Sequence, residues 1–179
     1  MPRANRHFLP GYVWHITHRC HKQEFLLKFR RDCRRWLQWL FEAKKRFGLS
    51  ILNYTVTSNH VHLIVKDNGY KETIPKSIQL IAGRTGQEYN LRKKRKGAYW
   101  EDRYHATAVE TDRHLLQCLV YVDLNMVRVG ICRIFLRYSA ISPASSILRH
   151  VFKASRASVL LTDLINCLAP GIAEGAMLR

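Results

Sequence analysis

Residues 12–18 alternate, with Val13, His15 and Thr17 on one side and Tyr12, Trp14 and Ile16 on the other, which predicts a first strand. From 30 to 47 the period lengthens. Trp36, Leu37, Leu40, Phe41 and Phe47 recur at helical spacing among Arg, Lys and Glu, and Gly48 stands where a helix would stop. The runs at 50–57 and 60–66 are again rich in strand formers, and the polar pair Ser58-Asn59 between them suits a tight reversal, so together they predict a hairpin. Pro75 fits the first turn of a second helix over 76–92, with Ile78, Ile81, Ala82 and Tyr89 facing inward, although Gly83 and Gly86 weaken its propensity. A basic turn, Arg92-Lys93-Lys94-Arg95-Lys96-Gly97, leads through Tyr99-Trp100-Glu101-Asp102-Arg103-Tyr104 to a short strand at 105–110. Thr111 or Asp112 can then cap a third helix that runs to about 127, before Gly130.

The order strand, helix, hairpin, helix, strand, helix predicts an α+β domain with helices packed over a largely antiparallel sheet. The third helix has two unlike stripes. Leu115, Leu119, Val122 and Met126 are apolar, whereas Gln117, Tyr121, Asn125 and Arg128 are polar. A chain of 179 residues favours one compact domain, which we place at 1–138. Residues 139–179 read as a divergent tail: a serine-rich stretch with Pro143, a helix candidate at 159–168, then a Gly- and Ala-rich end. No internal repeat is present.

Charge changes this picture more than composition does. An apolar content of 47% is ordinary for a globular chain, but 30 Lys and Arg against 13 Asp and Glu leave +17. Such a field attracts polyanions and releases their counterions, so nucleic acid is the leading partner. No apolar stretch is long enough to span a bilayer, and Met1-Pro2-Arg3-Ala4-Asn5-Arg6 leads into no apolar signal core, so no membrane role is expected. The five cysteines, at 20, 33, 118, 132 and 167, form no CxxC pair, and their odd number leaves one unpaired in any internal scheme. Reduced thiols in the cytoplasm, with the protein at the nucleoid, are the expectation.

The candidate chemistry lies at His60-Val61-His62 and, far downstream, at Tyr121-Val122-Asp123-Leu124-Asn125. On a strand the two imidazoles project together, roughly 7 Å apart along the chain, while Val61 and Leu63 turn to the core. On a helix Tyr121 and Asn125 share a stripe about 6 Å apart in rise. Two neutral imidazoles with one oxygen ligand leave coordination positions for water and phosphate, as in a transfer site rather than a closed structural zinc. A tyrosine is a suitable nucleophile because its covalent phosphodiester conserves the broken bond's energy. Each part also has a plain structural reading. HxH on a strand often only hydrogen-bonds at the sheet surface, a helical Tyr is often core, and an Asn near a helix end often caps.

Around these residues, Arg92, Lys93, Lys94, Arg95 and Lys96 with Trp100 and Arg103 combine cations with stacking faces, an arrangement that suits single-stranded nucleic acid; the bland reading is a solvated loop. Arg30, Arg31, Arg34 and Arg35 form a second basic patch, read first as a solvated face. His18-Arg19-Cys20-His21 has no matching ligand pair elsewhere and is set aside as a zinc half-site. His15 and Thr17 share a face of the first strand and fit either a cavity wall or ordinary packing. His105 and His114 sit in no motif.

Several linked segments, from about Arg6 to Gly130, resemble the HUH single-tyrosine transposases of the IS200 type, and within them the transposases associated with repetitive extragenic palindromes. They are Leu9-Pro10-Gly11, Phe47-Gly48-Leu49, Ser58-Asn59-His60-Val61-His62-Leu63-Ile64-Val65, Trp100-Glu101-Asp102-Arg103-Tyr104 and Tyr121-Val122-Asp123-Leu124-Asn125-Met126-Val127-Arg128-Val129-Gly130. The resemblance implies a ferredoxin-like (RRM-like) fold with the catalytic helix facing the HxH strand. It implies His60, His62 and Asn125 as ligands of Mg²⁺ or Mn²⁺, and Tyr121 as nucleophile on single-stranded DNA near a hairpin. Attack would give a 5′-phosphotyrosine and a free 3′-hydroxyl, and its reversal would join strands. Arg128 joins the basic loop, Trp100 and Arg103 as DNA contacts, and the implied protein is a monomer or homodimer.

The chain departs from these relatives in two places. Met126 stands where many carry proline, and after Ile131 it reads Cys132-Arg133-Ile134-Phe135-Leu136-Arg137-Tyr138 in place of a segment with Pro and Trp. The alternative is therefore a non-catalytic, decayed nucleic-acid-binding module of the same fold; a third reading is a metal nuclease using activated water.

Overall fold

The computed structural model describes residues 9–110 and 112–128, with side chains as far as Asn125. Thr111, the side chain of Arg128, the boundary at 138 and the helix candidate at 159–168 lie outside the described residues. Four strands, β1 (Val13–Arg19), β2 (Ser50–Val56), β3 (His60–Lys66) and β4 (His105–Val109), form one sheet in the order β2-β3-β1-β4. Every pairing is antiparallel. The helices are α1 (Arg30–Phe47) and α2 (Thr73–Lys93), each in a crossover, and α3 (Asp112–Arg128) after the last strand. This is a ferredoxin-like βαββαβ unit with one added helix, the α+β class expected from the pattern.

Alternation assigns the two faces of the sheet. Ile16 of β1, Tyr54 of β2 and Val61, Leu63 and Val65 of β3 pack with Trp36, Leu40 and Ala43 of α1 and Ile74, Ile78 and Ile81 of α2. The opposite face carries a smaller cluster, in which Ile64 of β3 and Val109 of β4 meet Cys118 and Val122 of α3. Helices therefore cover both sides, and residues 61–65 of β3 are buried without interruption. An open antiparallel face would have left alternate positions wet.

Two local features explain where the elements stop and meet. Gly48 ends α1 in a left-handed conformation, φ 69°, with its N–H on the Lys44 carbonyl at 3.0 Å. Gly86, which weakened the expectation of a second helix, has a packing reason: a Cβ there would lie 3.1 Å from Cβ of Tyr99. Helix α2 begins at Thr73, so Pro75 sits within its first turn, where no intrahelical N–H is required.

Candidate active site

The β2–β3 hairpin turns at Ser58-Asn59, closed by the Thr57 N–H on the His60 carbonyl at 2.9 Å. This sets His60 at the start of a central strand, opposite Arg19 of β1, and His62 two places on, opposite Thr17 and Thr55. Both imidazoles face α3, with ring centroids 4.9 Å apart.

Their neighbours fix the ring protons. The Asn59 amide donates through Nδ2 to the Gln23 carbonyl at 3.3 Å, which turns its Oδ1 to His60 Nδ1 at 2.7 Å. An amide oxygen only accepts, so Nδ1 carries the proton and Nε2 keeps its lone pair. Thr57 Oγ1, 2.9 Å from the same Nδ1, donates its own hydrogen to the His60 carbonyl at 2.8 Å and accepts from the ring. For His62, Asn125 Nδ2 approaches Nε2 at 3.2 Å and His15 Nε2 approaches Nδ1 at 3.1 Å. With the amide nitrogen donating, Nε2 is again the lone-pair edge and Nδ1–H points to His15.

Burial, reinforced by the positive charges that His60, His15 and Arg19 can carry, pushes the His62 pKa down to about 3. Burial and then the Arg19 charge lower His60, and burial and then His114 lower His15. All three rings are thus biased to the neutral form that a metal ligand requires.

Helix α3 brings up the other half. Val122 is fully buried against Ile64, and two polar contacts set the helix's rotation: Thr55 Oγ1 donates to the Val122 carbonyl at 2.8 Å, and Asn53 Nδ2 to Asp123 Oδ1 at 2.9 Å. A register shift between Ile51 and Asn53 lets the consecutive residues Leu52 and Asn53 both meet α3. In this seating Asn125 is 7% exposed and Tyr121 38% exposed. The Tyr121 ring stands edge-on to His62, centroids 5.4 Å apart, and 6.0 Å from His15.

Among the described residues no group of three or more His, Cys, Asp or Glu could hold a metal ion, and beside His60 and His62 the nearby oxygen donor is the amide of Asn125. Asn125 Oδ1 is buried beside His62 and has no hydrogen-bond partner among the described residues. A buried carbonyl oxygen with no protein donor is chemically suited to a hard cation.

The sequence-derived DNA contacts fall at the same end of the sheet but divide in kind. Lys93, Lys94, Lys96 and Arg103 are exposed. Arg92 pairs with Asp32, and Arg95 binds the Ala98 carbonyl at 2.8 Å and Glu24 at 3.3 Å. Trp100 stacks on His18 at 4.1 Å and donates Nε1 to the Ala82 carbonyl at 3.1 Å, so its ring serves the fold. Arg31, Arg34 and Arg35 lie with Arg92 along the α1–α2 groove, on the sheet face away from Tyr121. Sequence reasoning left His15 between a cavity wall and ordinary packing, named Asn59 only as part of the turn, and did not single out Asn53 or Thr55. The β1 alternation was the one signal for His15. The family model described as "Transposase IS200 like" matches residues 11–125. Among solved structures, the chain is similar to a REP-associated tyrosine transposase bound to a REP hairpin, at 15% identity and a TM-score of 0.62 over 75% of this chain and 78% of that one. A putative transposase from Deinococcus radiodurans R1 matches at 14% identity and a TM-score of 0.47, over 68% of this chain and 96% of that one. No curated protein matches.

Proposed function

We propose that this chain, which belongs to the IS200-like transposase family, is a metal-dependent strand transferase that cleaves and rejoins single-stranded DNA near hairpins through Tyr121. The observation that carries the reading is the meeting of Tyr121 and His62 on one face of the sheet, ring centroids 5.4 Å apart, beside His60 and Asn125. Once the Asn125 amide turns its Nδ2 away from His62 Nε2, His60 and His62 would hold the cation through Nε2 and Asn125 through Oδ1; the amide carbonyl, with water and phosphate oxygens, suits Mg²⁺ or Mn²⁺. When bound, the ion polarises a phosphoryl oxygen.

The chain's own residues do the rest. His15 and Asn59 keep the ligand imidazoles turned, and α3 aims the phenol. Tyr121 Oη attacks phosphorus and its proton passes to solvent. The bond from phosphorus to the 3′-oxygen breaks, that oxygen takes a proton, and the strand's 5′-phosphate stays on the tyrosine. Attack by another 3′-hydroxyl reverses the step and rejoins DNA without ATP. A charge of +17 and the exposed Lys93, Lys94, Lys96 and Arg103 support a nucleic-acid substrate and, with it, a nucleoid location.

The test incubates the protein with 5′- and 3′-labelled hairpin oligonucleotides, with Mn²⁺ or chelator, and resolves products on a denaturing gel. A protein-linked strand is expected with metal and not with Tyr121→Phe, which keeps its DNA affinity. Retention without cleavage would leave a binding module, and cleavage without linkage a water-using nuclease.

A further inference from the structure

Beside His60 lies a cleft of about 440 Å³ lined by Arg19, Gln23, Phe25, Thr57, Ser58, Asn59 and His60. Its two walls are tied together. Cys20 N–H meets the Asn59 carbonyl at 2.7 Å and Leu27 N–H the Ser58 carbonyl at 2.9 Å, so loop 20–27 and the β2–β3 turn hold one shape. Within that loop Lys22 and Gln23 both adopt left-handed backbone, φ 49° and 58°, which costs energy for residues other than glycine and turns the chain sharply before Phe25.

Phe25 is 63% exposed, although Leu26 and Leu27 after it are buried in the core. An aromatic ring left wet on a braced loop beside a reaction centre is a stacking face rather than packing. Arg19 ends β1 directly opposite His60 and is exposed, and no carboxylate pairs with it among the described residues. A cleft of this size fits one small polar ligand with an aromatic part. The cation and the ring together select a nucleotide: a planar base for Phe25 and a phosphate for the guanidinium.

We propose that this cleft receives one nucleotide of the single strand adjoining the scissile phosphodiester, its base stacked on Phe25 and its phosphate paired with Arg19. The proposal rests on the reading of the chain as a strand transferase, because only then does a strand pass His60. Its effect would be to hold the scissile phosphate against the ligand pair while Tyr121 approaches from α3.

The test uses the full chain with Mn²⁺, in a Tyr121→Phe background so that DNA binds without reacting. The probe is a hairpin oligonucleotide with mixed-sequence flanks carrying 2-aminopurine at successive flank positions. The expected result is one position whose fluorescence is quenched on binding, with the quench lost and affinity reduced roughly tenfold in Phe25→Ala but both kept in Phe25→Trp. Arg19→Ala should lower the slope of log affinity against log salt by about 0.7, the single-strand value for one contact, and Arg19→Lys should restore it. Unchanged affinity in both alanine variants, with no Phe25-dependent quench at any position, overturns the proposal. Adduct formation by the Tyr121 protein on the same oligonucleotide is scored in parallel. An adduct without the quench sinks the cleft alone, whereas absence of adduct sinks the transferase reading itself.

Discussion

An imidazole binds a metal only through a nitrogen that carries no proton, so the partner of its other nitrogen decides which edge it offers. Asn59 performs that service for His60: its amide is oriented by the Gln23 carbonyl and its oxygen takes the Nδ1 proton at 2.7 Å. Asn59→Ala should therefore weaken Mn²⁺ binding about 10- to 100-fold in titration calorimetry, while Asn59→Asp, which still accepts the proton, should retain most of it. Equal affinity in the alanine variant would remove Asn59 from the site. The pair His60 and His62 was legible in the sequence because a period of two leaves no choice of face. His15 was not: alternation says that Val13, His15 and Thr17 share a side, but not that β1 lies next to β3 with His15 Nε2 3.1 Å from His62 Nδ1. Strand order is a property of the whole sheet, and no single strand encodes it.

At the level of elements, α3 must do two things at once, bury an apolar stripe and aim a phenol and an amide. Leu115, Leu119 and Val122 were readable as that stripe, and they do pack on Ile64, Val109 and Val13. A stripe fixes a helix's rotation only loosely, however. The finer setting comes from Asn53 on Asp123 and Thr55 on the Val122 carbonyl, which depend on the register shift in β2 and left no mark in the sequence. Thr55→Val keeps shape and removes one buried hydrogen bond, so it should cost about 1 kcal/mol in urea unfolding. Adduct formation should slow more than DNA affinity falls, because the contact acts on where Tyr121 points. A variant destabilised by that amount with unaltered adduct rate would show that the apolar stripe alone aims the helix. Trp100 has a second tie that its place among cations did not suggest: the half-buried indole gives its N–H to the Ala82 carbonyl.

The whole molecule determines whether one chain is enough. In a ferredoxin-like sheet with a trailing helix, that helix can fold back over its own sheet or cross to a second copy, and the site residues would be the same in either case. Here β4 ends at Val109, α3 starts at Asp112, and Val109, Cys118 and Val122 share a cluster with Ile64, so the helix packs on its own sheet from its first turns to Val122. Tyr121 and His62 of one chain then meet, and the proposed transfer would need no second copy to bring them together. The consequence can be measured by mixing two inactive proteins, Tyr121→Phe and His62→Ala, and assaying adduct on a labelled hairpin. With the site built in one chain, the mixture should be as inactive as either component at every ratio and concentration. With helices exchanged, half of the pairs would be mixed and each would carry one intact site, restoring about a quarter of the unmutated activity. Any such restoration would mean that α3 leaves its own sheet in solution. The seating of Asn53 and Thr55 on α3 would then describe a contact between copies.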